Sequence, residues 1–357
     1  MRRLATLALA ASAAWISSAL CATPATEDGK VVGLAFVGRM VSDLDRSVAF
    51  YKTLGFSQDP AADSAWRRDA VIEKLYGIAH VETRLAKMFV VNSSSGRHFA
   101  VYLRELRGLP RANRSEHTAW DPGVSHFGLI VADAQQTWSQ LEAASLLHAR
   151  SWGGKLIAPP GQTKGMLAYI TDPDGLDIEL IDQRPAAPAA DGRPARPALL
   201  PGVNHVGLVV LDSDKARAFY GDLLGGKLLT TEAPWLQGDF YDSAVGGHGN
   251  ILRFYNEAFA DASAPAARLN FELVEFQNRK QPVVPTRIGD VGVGYVGFEV
   301  QGLDAFVKKV KAAGGKTISS SGIVTMRSGT REIMVRDPDV GGFVELFEHP
   351  VQTSVSK

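Results

Sequence analysis

The sequence predicts an α+β protein made of four βαβββ modules, paired into two tandem domains, each a curved mixed sheet around a cleft. Three observations lead there. One strand motif occurs four times: "FVGRMVSD" from Phe36, "HFGLIVAD" from His126, "HVGLVVLD" from His205 and "YVGFEVQG" from Tyr295. Their first residues are 90, 79 and 90 positions apart, so each half has the same inner spacing and the halves repeat at 169. Fixed-period self-similarity is the mark of a duplicated unit. Between the halves, "QRPAAPAADGRPARPALLPG" from Gln183 to Gly202 is rich in Pro and Ala and lacks apolar periodicity, as a linker does.

Each part follows in chain order. The opening "MRRLATLALAASAAWISSALCATPA" joins two arginines to an apolar run and then small residues, the pattern of a secretory signal over residues 1–22. The run is short for a membrane span. A bulky Leu20 before Cys21, the only cysteine, fits a lipoprotein signal poorly. Cleavage after Ala22 leaves a mature chain without a thiol, which excludes disulfides and cysteine ligation there. The expected location is periplasmic or secreted. The two halves then run over residues 31–182 and 202–350, with the linker at 183–201.

Within each recurring strand, even and odd offsets from the first residue share opposite faces. In the third copy Val206, Leu208 and Val210 form an apolar face suited to helices, and His205 and Gly207 lie on the other. Glycine fills the same position in every copy, at Gly38, Gly128, Gly207 and Gly297. Glycine weakens a strand unless something approaches the backbone, so it predicts a cleft floor cleared for a ligand. After the first and third copies comes a helix. "DLDRSVAFYKTLGF" offers Asp43 or Asp45 as cap and Gly55 as terminator, and "DSDKARAFYGDLLGG" repeats it from Asp212 to Gly225. Strands such as "KMFVVN", "HFAVYL", "ILRFYN" and "LNFELVEF" follow. The second module of each half ends in "YITDPDGLDIELI" or "IMVRDPDVGGFVELF", where Asp-Pro-Asp is turn chemistry between two strands.

Paired βαβββ modules with H-x-G-L-x-V-x-D at the start and DPDG-x-x-x-EL near the end resemble the vicinal oxygen chelate superfamily. That group includes glyoxalase I, bleomycin and fosfomycin resistance proteins and extradiol dioxygenases. The likeness runs from about Val31 to Pro350 and implies two tandem glyoxalase-like domains. It also implies up to four ligands per cleft, one from the first and one from the last strand of each module. In the C-terminal half these positions hold His205, Glu272, Tyr295 and Glu345, and in the N-terminal half Phe36, Tyr102, His126 and Glu179. Tyr102 and Glu272 lie 170 apart and Glu179 and Glu345 lie 166 apart, close to the repeat.

Two ligands rarely hold a divalent ion, whereas an imidazole with two carboxylates suits Fe, Mn, Ni or Zn. The expectation is therefore a metal on His205, Glu272 and Glu345 in a C-terminal cleft. Glu272 or Glu345 would act as base and Tyr295 would hydrogen-bond the substrate. His126 and Glu179 are read as a vestigial second site. Glu275, three residues past Glu272, belongs on the opposite face. His248 in "GGHGN" stands near the cleft mouth as a candidate acid or base, although loop histidines are mostly solvated. Trp235, Phe240 and Tyr241 suit a pocket lining or plain core packing. "SSSGR" from Ser93 is a surface turn, since no helix follows it.

Lys plus Arg and Asp plus Glu each total 38, so neither nucleic acid nor an anionic membrane is an expected partner. A small-molecule substrate is. Two functions remain open. One is a metal-dependent lyase or isomerase, or a dioxygenase, acting on a substrate with neighbouring oxygens. The other is a metal-free binder of aromatic or antibiotic-like molecules, favoured by Phe36 and Tyr102. A monomer suffices for either, and a homodimer is compatible.

Overall fold

The structure, a computed structural model, describes residues 28–350 except 63, 93–96, 159–166, 184–200, 231, 263, 280–285 and 340. The signal segment with Cys21, most of the linker and most of "SSSGR" lie outside the described residues.

The first module comprises β1 (Lys30–Val41), α1 (Leu44–Thr53), β2 (Ser57–Gln58), β3 (Arg67–Arg68), α2 (Ala70–Tyr76), β4 (Glu82–Asn92) and β5 (Arg97–Arg107). The second has β6 (Gly123–Val131), α3 (Ala134–Ala143), a 3-10 turn at Trp152–Gly154, β7 (Leu167–Thr171) and β8 (Asp177–Asp182). The third has β9 (Gly202–Val210), α4 (Ser213–Arg217) running into a π-helical stretch (Ala218–Leu223), β10 (Lys227–Leu228), α5 (Asp239–Val245), β11 (Leu252–Asp261) and β12 (Ala264–Phe276). The fourth has β13 (Gly294–Gln301), α6 (Leu303–Ala312), β14 (Lys316–Thr317), β15 (Val324–Thr325), β16 (Arg331–Arg336) and β17 (Phe343–Glu348). The α+β class holds. All four first strands lead into a helix, as four βαβββ modules require, and the first and third modules also carry an extra short helix, α2 and α5.

Capping follows the sequence. Asp43 accepts from the Asp45 and Arg46 amides, and Asp212 accepts from Lys215 N. Gly55 and Gly225 leave these helices at φ of 91° and 81°, where a side chain would be strained.

The pairing of modules differs from the expectation. β1 runs antiparallel to β13, from Lys30 opposite Gln301 to Arg39 opposite Gly294. β6 runs antiparallel to β9, from Gly123 opposite Val209 to Ile130 opposite Gly202. Two mixed sheets result, each spanning both halves of the chain. One has the order β4-β5-β1-β13-β17-β16 and the other β7-β8-β6-β9-β12-β11. The clefts therefore lie between modules one and four and between modules two and three. Neither half closes on itself.

Within a half, the modules are joined on the helix side by the Asp-Pro-Asp turns. Asp172 accepts amide bonds from Asp174 and Leu176 inside its own turn and a 3.0 Å bond from the Tyr51 hydroxyl on α1. Asp337 repeats this with Asp339 and Gly341 and takes 2.8 Å from Tyr220. The apolar strand faces, including Val206, Leu208 and Val210, share one buried core with Phe50, Tyr51, Phe219 and Tyr220. Among the described residues no helix is long and apolar enough to cross a membrane.

Candidate metal centre

The β6–β9 pairing places His126 opposite Gly207 and Gly128 opposite His205. A Cβ on Gly207 would sit 2.0 Å from Cε1 of His126, and one on Gly128 2.2 Å from Cε1 of His205. No real contact is that short, so each glycine clears the strand for the facing module's imidazole. The other sheet repeats the device with aromatic rings: Cβ atoms on Gly38 and Gly297 would meet Tyr295 and Phe36. The recurring glycine thus serves the partner strand, not a ligand as expected.

Beside the histidines run parallel strands that supply carboxylates. Glu179 on β8 pairs with Gly128, and Glu272 on β12 pairs with Gly207. Nε2 of His205 lies 3.2 Å from Glu179 Oε2 and 4.0 Å from Glu272 Oε2, and Nε2 of His126 lies 3.6 Å from Glu272 Oε2. Ligand atoms of His126, Glu179 and His205 fall within 4.8 Å of one another. Both histidines are buried, and neither Nε2 has a partner in hydrogen-bonding geometry. Two imidazole nitrogens facing two carboxylates are the donor set a divalent transition metal takes.

Electrostatics point the same way. Burial opposes charge on His205, but Glu272 and then Glu179 outweigh it and push the ring up to about 9. Burial likewise opposes charge on Glu272, yet His205 and His126 beside it hold its carboxyl at about 2. The negative field that retains a proton on His205 would equally retain a cation between the rings. The residues present fit a divalent metal.

Supporting groups fix this set. The Ser125 hydroxyl lies 3.1 Å from the Gly207 carbonyl and 3.0 Å from His126 Nδ1. It has one hydrogen, and the carbonyl can only accept, so the hydroxyl donates to Gly207 and accepts from Nδ1–H. With Nδ1–H held by Ser125, Nε2 is the nitrogen that faces the carboxylates. Burial, followed by the Glu179 charge beside it, holds the Tyr169 phenol well above its usual range. Asp177 is held by Arg150 through its Nε. None of these three was picked out in the sequence. The clue was present in Ser125, which immediately precedes His126.

The expected set does not converge. His205 and Glu272 meet, but Glu345 and Tyr295 lie in the other cleft, because β13 pairs with β1 and not with β9, and β17 pairs with β13. The supposed vestigial pair, His126 and Glu179, supplies the other half of the cluster. In the β1–β13 cleft, Phe36 stacks on Tyr102 at 4.1 Å between ring centroids. The Tyr295 and Tyr76 hydroxyls lie 3.2 Å apart. Buried Arg104 stacks over Tyr76. Burial, then Glu332, holds the Glu345 carboxyl well above its usual range. Aromatic rings pack against one another across that cleft.

A pocket of about 240 Å³ opens above the His/Glu cluster, lined by His126, Tyr169, Glu179 and Glu272 and by Phe240 and Tyr241 of α5. Trp235 instead lies half-exposed under Arg253, and exposed His248 stacks on Trp152 outside the pocket lining. Glu275, on the helix side, accepts from the Ser213 amide and hydroxyl and from Arg253.

Two clefts, each built from a pair of strand–helix–strand modules, define a class, and comparison with known proteins names it. Residues 33–180 and 202–342 match the Glyoxalase/Bleomycin resistance protein/Dioxygenase superfamily, and the chain belongs to it. A probable chloroplastic lactoylglutathione lyase from Arabidopsis thaliana is 28% identical over 195 residues, 54% of this chain. The match spans only 43% of that relative. A putative dioxygenase from Bacillus subtilis has a similar fold, with a TM-score of 0.50, 14% identity and coverage of 90% of this chain and 86% of its own.

Proposed function

We propose that the chain is a divalent-metal-dependent lyase or isomerase acting on a small oxygen-chelating substrate in the β6–β9 cleft. The observation that carries this reading is the meeting of two buried imidazole nitrogens with two carboxylates beneath an accessible pocket. His126, His205, Glu179 and Glu272 would hold the ion. A bound cation would supply Lewis-acid stabilisation of charge developing on two neighbouring substrate oxygens. Glu272, facing both rings and open to the pocket, would carry a proton between substrate carbons. Tyr169, which lines the pocket beside Glu179, would hydrogen-bond the substrate, the role expected of Tyr295. The likeness to a probable lactoylglutathione lyase from Arabidopsis thaliana favours the lyase version over ring cleavage. The metal-free binder loses its main support, because Phe36 and Tyr102 fill each other's space.

Metal analysis of the purified protein tests this. One equivalent per chain, lost in His126→Ala and His205→Ala and retained in Glu345→Gln, is the expected result. A metal-free protein, or one that needs Glu345 but not His126, overturns it. All four groups come from one chain, so a monomer would suffice. We also propose export: the chain recovered from a periplasmic fraction would begin after Ala22, whereas a full-length cytoplasmic chain would refute this.

A further inference from the structure

The pocket over the cluster restricts what reaches it. Its walls are Leu167, Phe240, Tyr241, Phe254, Val274 and Phe276, apolar or aromatic throughout. A cavity of about 150 Å³ lined by apolar groups admits benzene. At about 240 Å³, this one has room for one ring with a short chain carrying two oxygens.

Charge narrows the choice further. Among the described lining residues none is Lys or Arg, while Asp177, Glu179 and Glu272 are acidic. Arg150 is committed, its Nε to Asp177 and its Nη1 to the His117 carbonyl at 3.1 Å. A divalent cation with two carboxylates and two neutral imidazoles has no net charge. None of these described lining side chains would stabilise a second anion brought in from water, and desolvating one against apolar rings is costly.

We infer that the substrate is a compact, electrically neutral ketol or α-dicarbonyl bearing one aromatic or branched alkyl group, not a peptide–thiol adduct with free carboxylates. This rests on the metal-site reading above. The wall, not the metal, sets the selection, so it operates at the binding step.

The test uses the full chain loaded with Co²⁺, titrated with 2-hydroxyacetophenone and separately with S-methylglutathione, and followed by visible absorption and calorimetry. Saturable binding of the aromatic ketol with a change in the cobalt bands, and at least tenfold weaker binding of the glutathione adduct, is expected. Phe240→Ala, on the half-exposed face of α5, should bind the naphthyl analogue at least tenfold more tightly than the unaltered chain does. Equal or tighter binding of S-methylglutathione overturns the inference. If the chain takes up no Co²⁺, the metal reading has failed and calorimetry on the metal-free protein decides this one. Saturable ketol binding there supports the pocket assignment, and its absence overturns that too.

Discussion

Ser125 makes a chemical choice for its neighbour. By donating to the Gly207 carbonyl it leaves only its lone pairs for His126 Nδ1, so Nδ1 carries a proton and Nε2 is the nitrogen turned to the carboxylates. Removing such an orienting group typically costs about 10–100-fold in metal affinity. Ser125→Ala should therefore bind Zn²⁺ or Co²⁺ about tenfold more weakly, and Ser125→Thr, which keeps the hydroxyl, should restore most of the loss. Nitrogen NMR of His126 in the metal-free protein would show Nδ1–H in the unaltered chain and a mixed tautomer in the alanine variant. An unchanged tautomer and affinity would remove Ser125 from this role. Gly207 is constrained in another way, since a methyl group there would overlap the His126 ring. Gly207→Ala should lose metal uptake and lower stability by about 1–3 kcal/mol, read by chemical denaturation. Both constraints follow from strand pairing. From sequence alone the glycines showed only that something comes close, and not that it is an imidazole from the opposite half.

The turns and the aromatic cleft show what whole elements contribute. Asp-Pro-Asp was readable as a hairpin turn, but its second task was not: Asp172 and Asp337 reach out of their turns to tyrosines on the preceding module's helix. Burial followed by the Asp172 charge pushes the Tyr51 hydroxyl well above its usual range, so it stays a donor. Tyr51→Phe should cost about 1–2 kcal/mol in stability while leaving metal content intact, because the bond lies on the helix side of the sheet. In the β1–β13 cleft, β16 places Glu332 on the same face as Met334, which sits opposite Glu345 on β17. Burial raises Glu332 to about 7, with Arg104 and Lys87 opposing. A carboxyl raised on folding contributes stability below its unfolded value near 4.5 and loses it as pH climbs through about 7. Glu332→Gln should accordingly melt higher than the unaltered chain at pH 8, by an amount on the order of 1 kcal/mol, with the difference shrinking at pH 5. A variant that melts lower at pH 8 would mean the charged form is stabilised there.

At the scale of the molecule, the duplicated halves are interlocked. The repeat spacing, the strand faces and the helices behind them are local properties and could be read directly. Which module pairs with which could not, because a half closed on itself and a cross-paired chain require the same alternation, the same glycines and the same four side-chain positions. The difference lies only in whether His205 faces Gly297 or Gly128, and the structure has Gly128. Sorting the candidates by half therefore gave one three-ligand site and one remnant. Sorting them by sheet gives one polar cleft, with His126, Glu179, His205 and Glu272, and one aromatic cleft, with Phe36, Tyr102, Tyr295 and Glu345. The consequence is testable by cutting the chain within the linker, between residues 190 and 191, and producing the halves together or apart. Backbone ladders at β1–β13 and β6–β9 should hold co-produced halves as a one-to-one pair that takes up one metal ion. His126→Ala in the N-terminal piece should abolish that uptake although His205 and Glu272 reside in the other piece. A C-terminal piece that binds one ion as a monomer, with Glu345 required, would show instead that each half closes its own cleft.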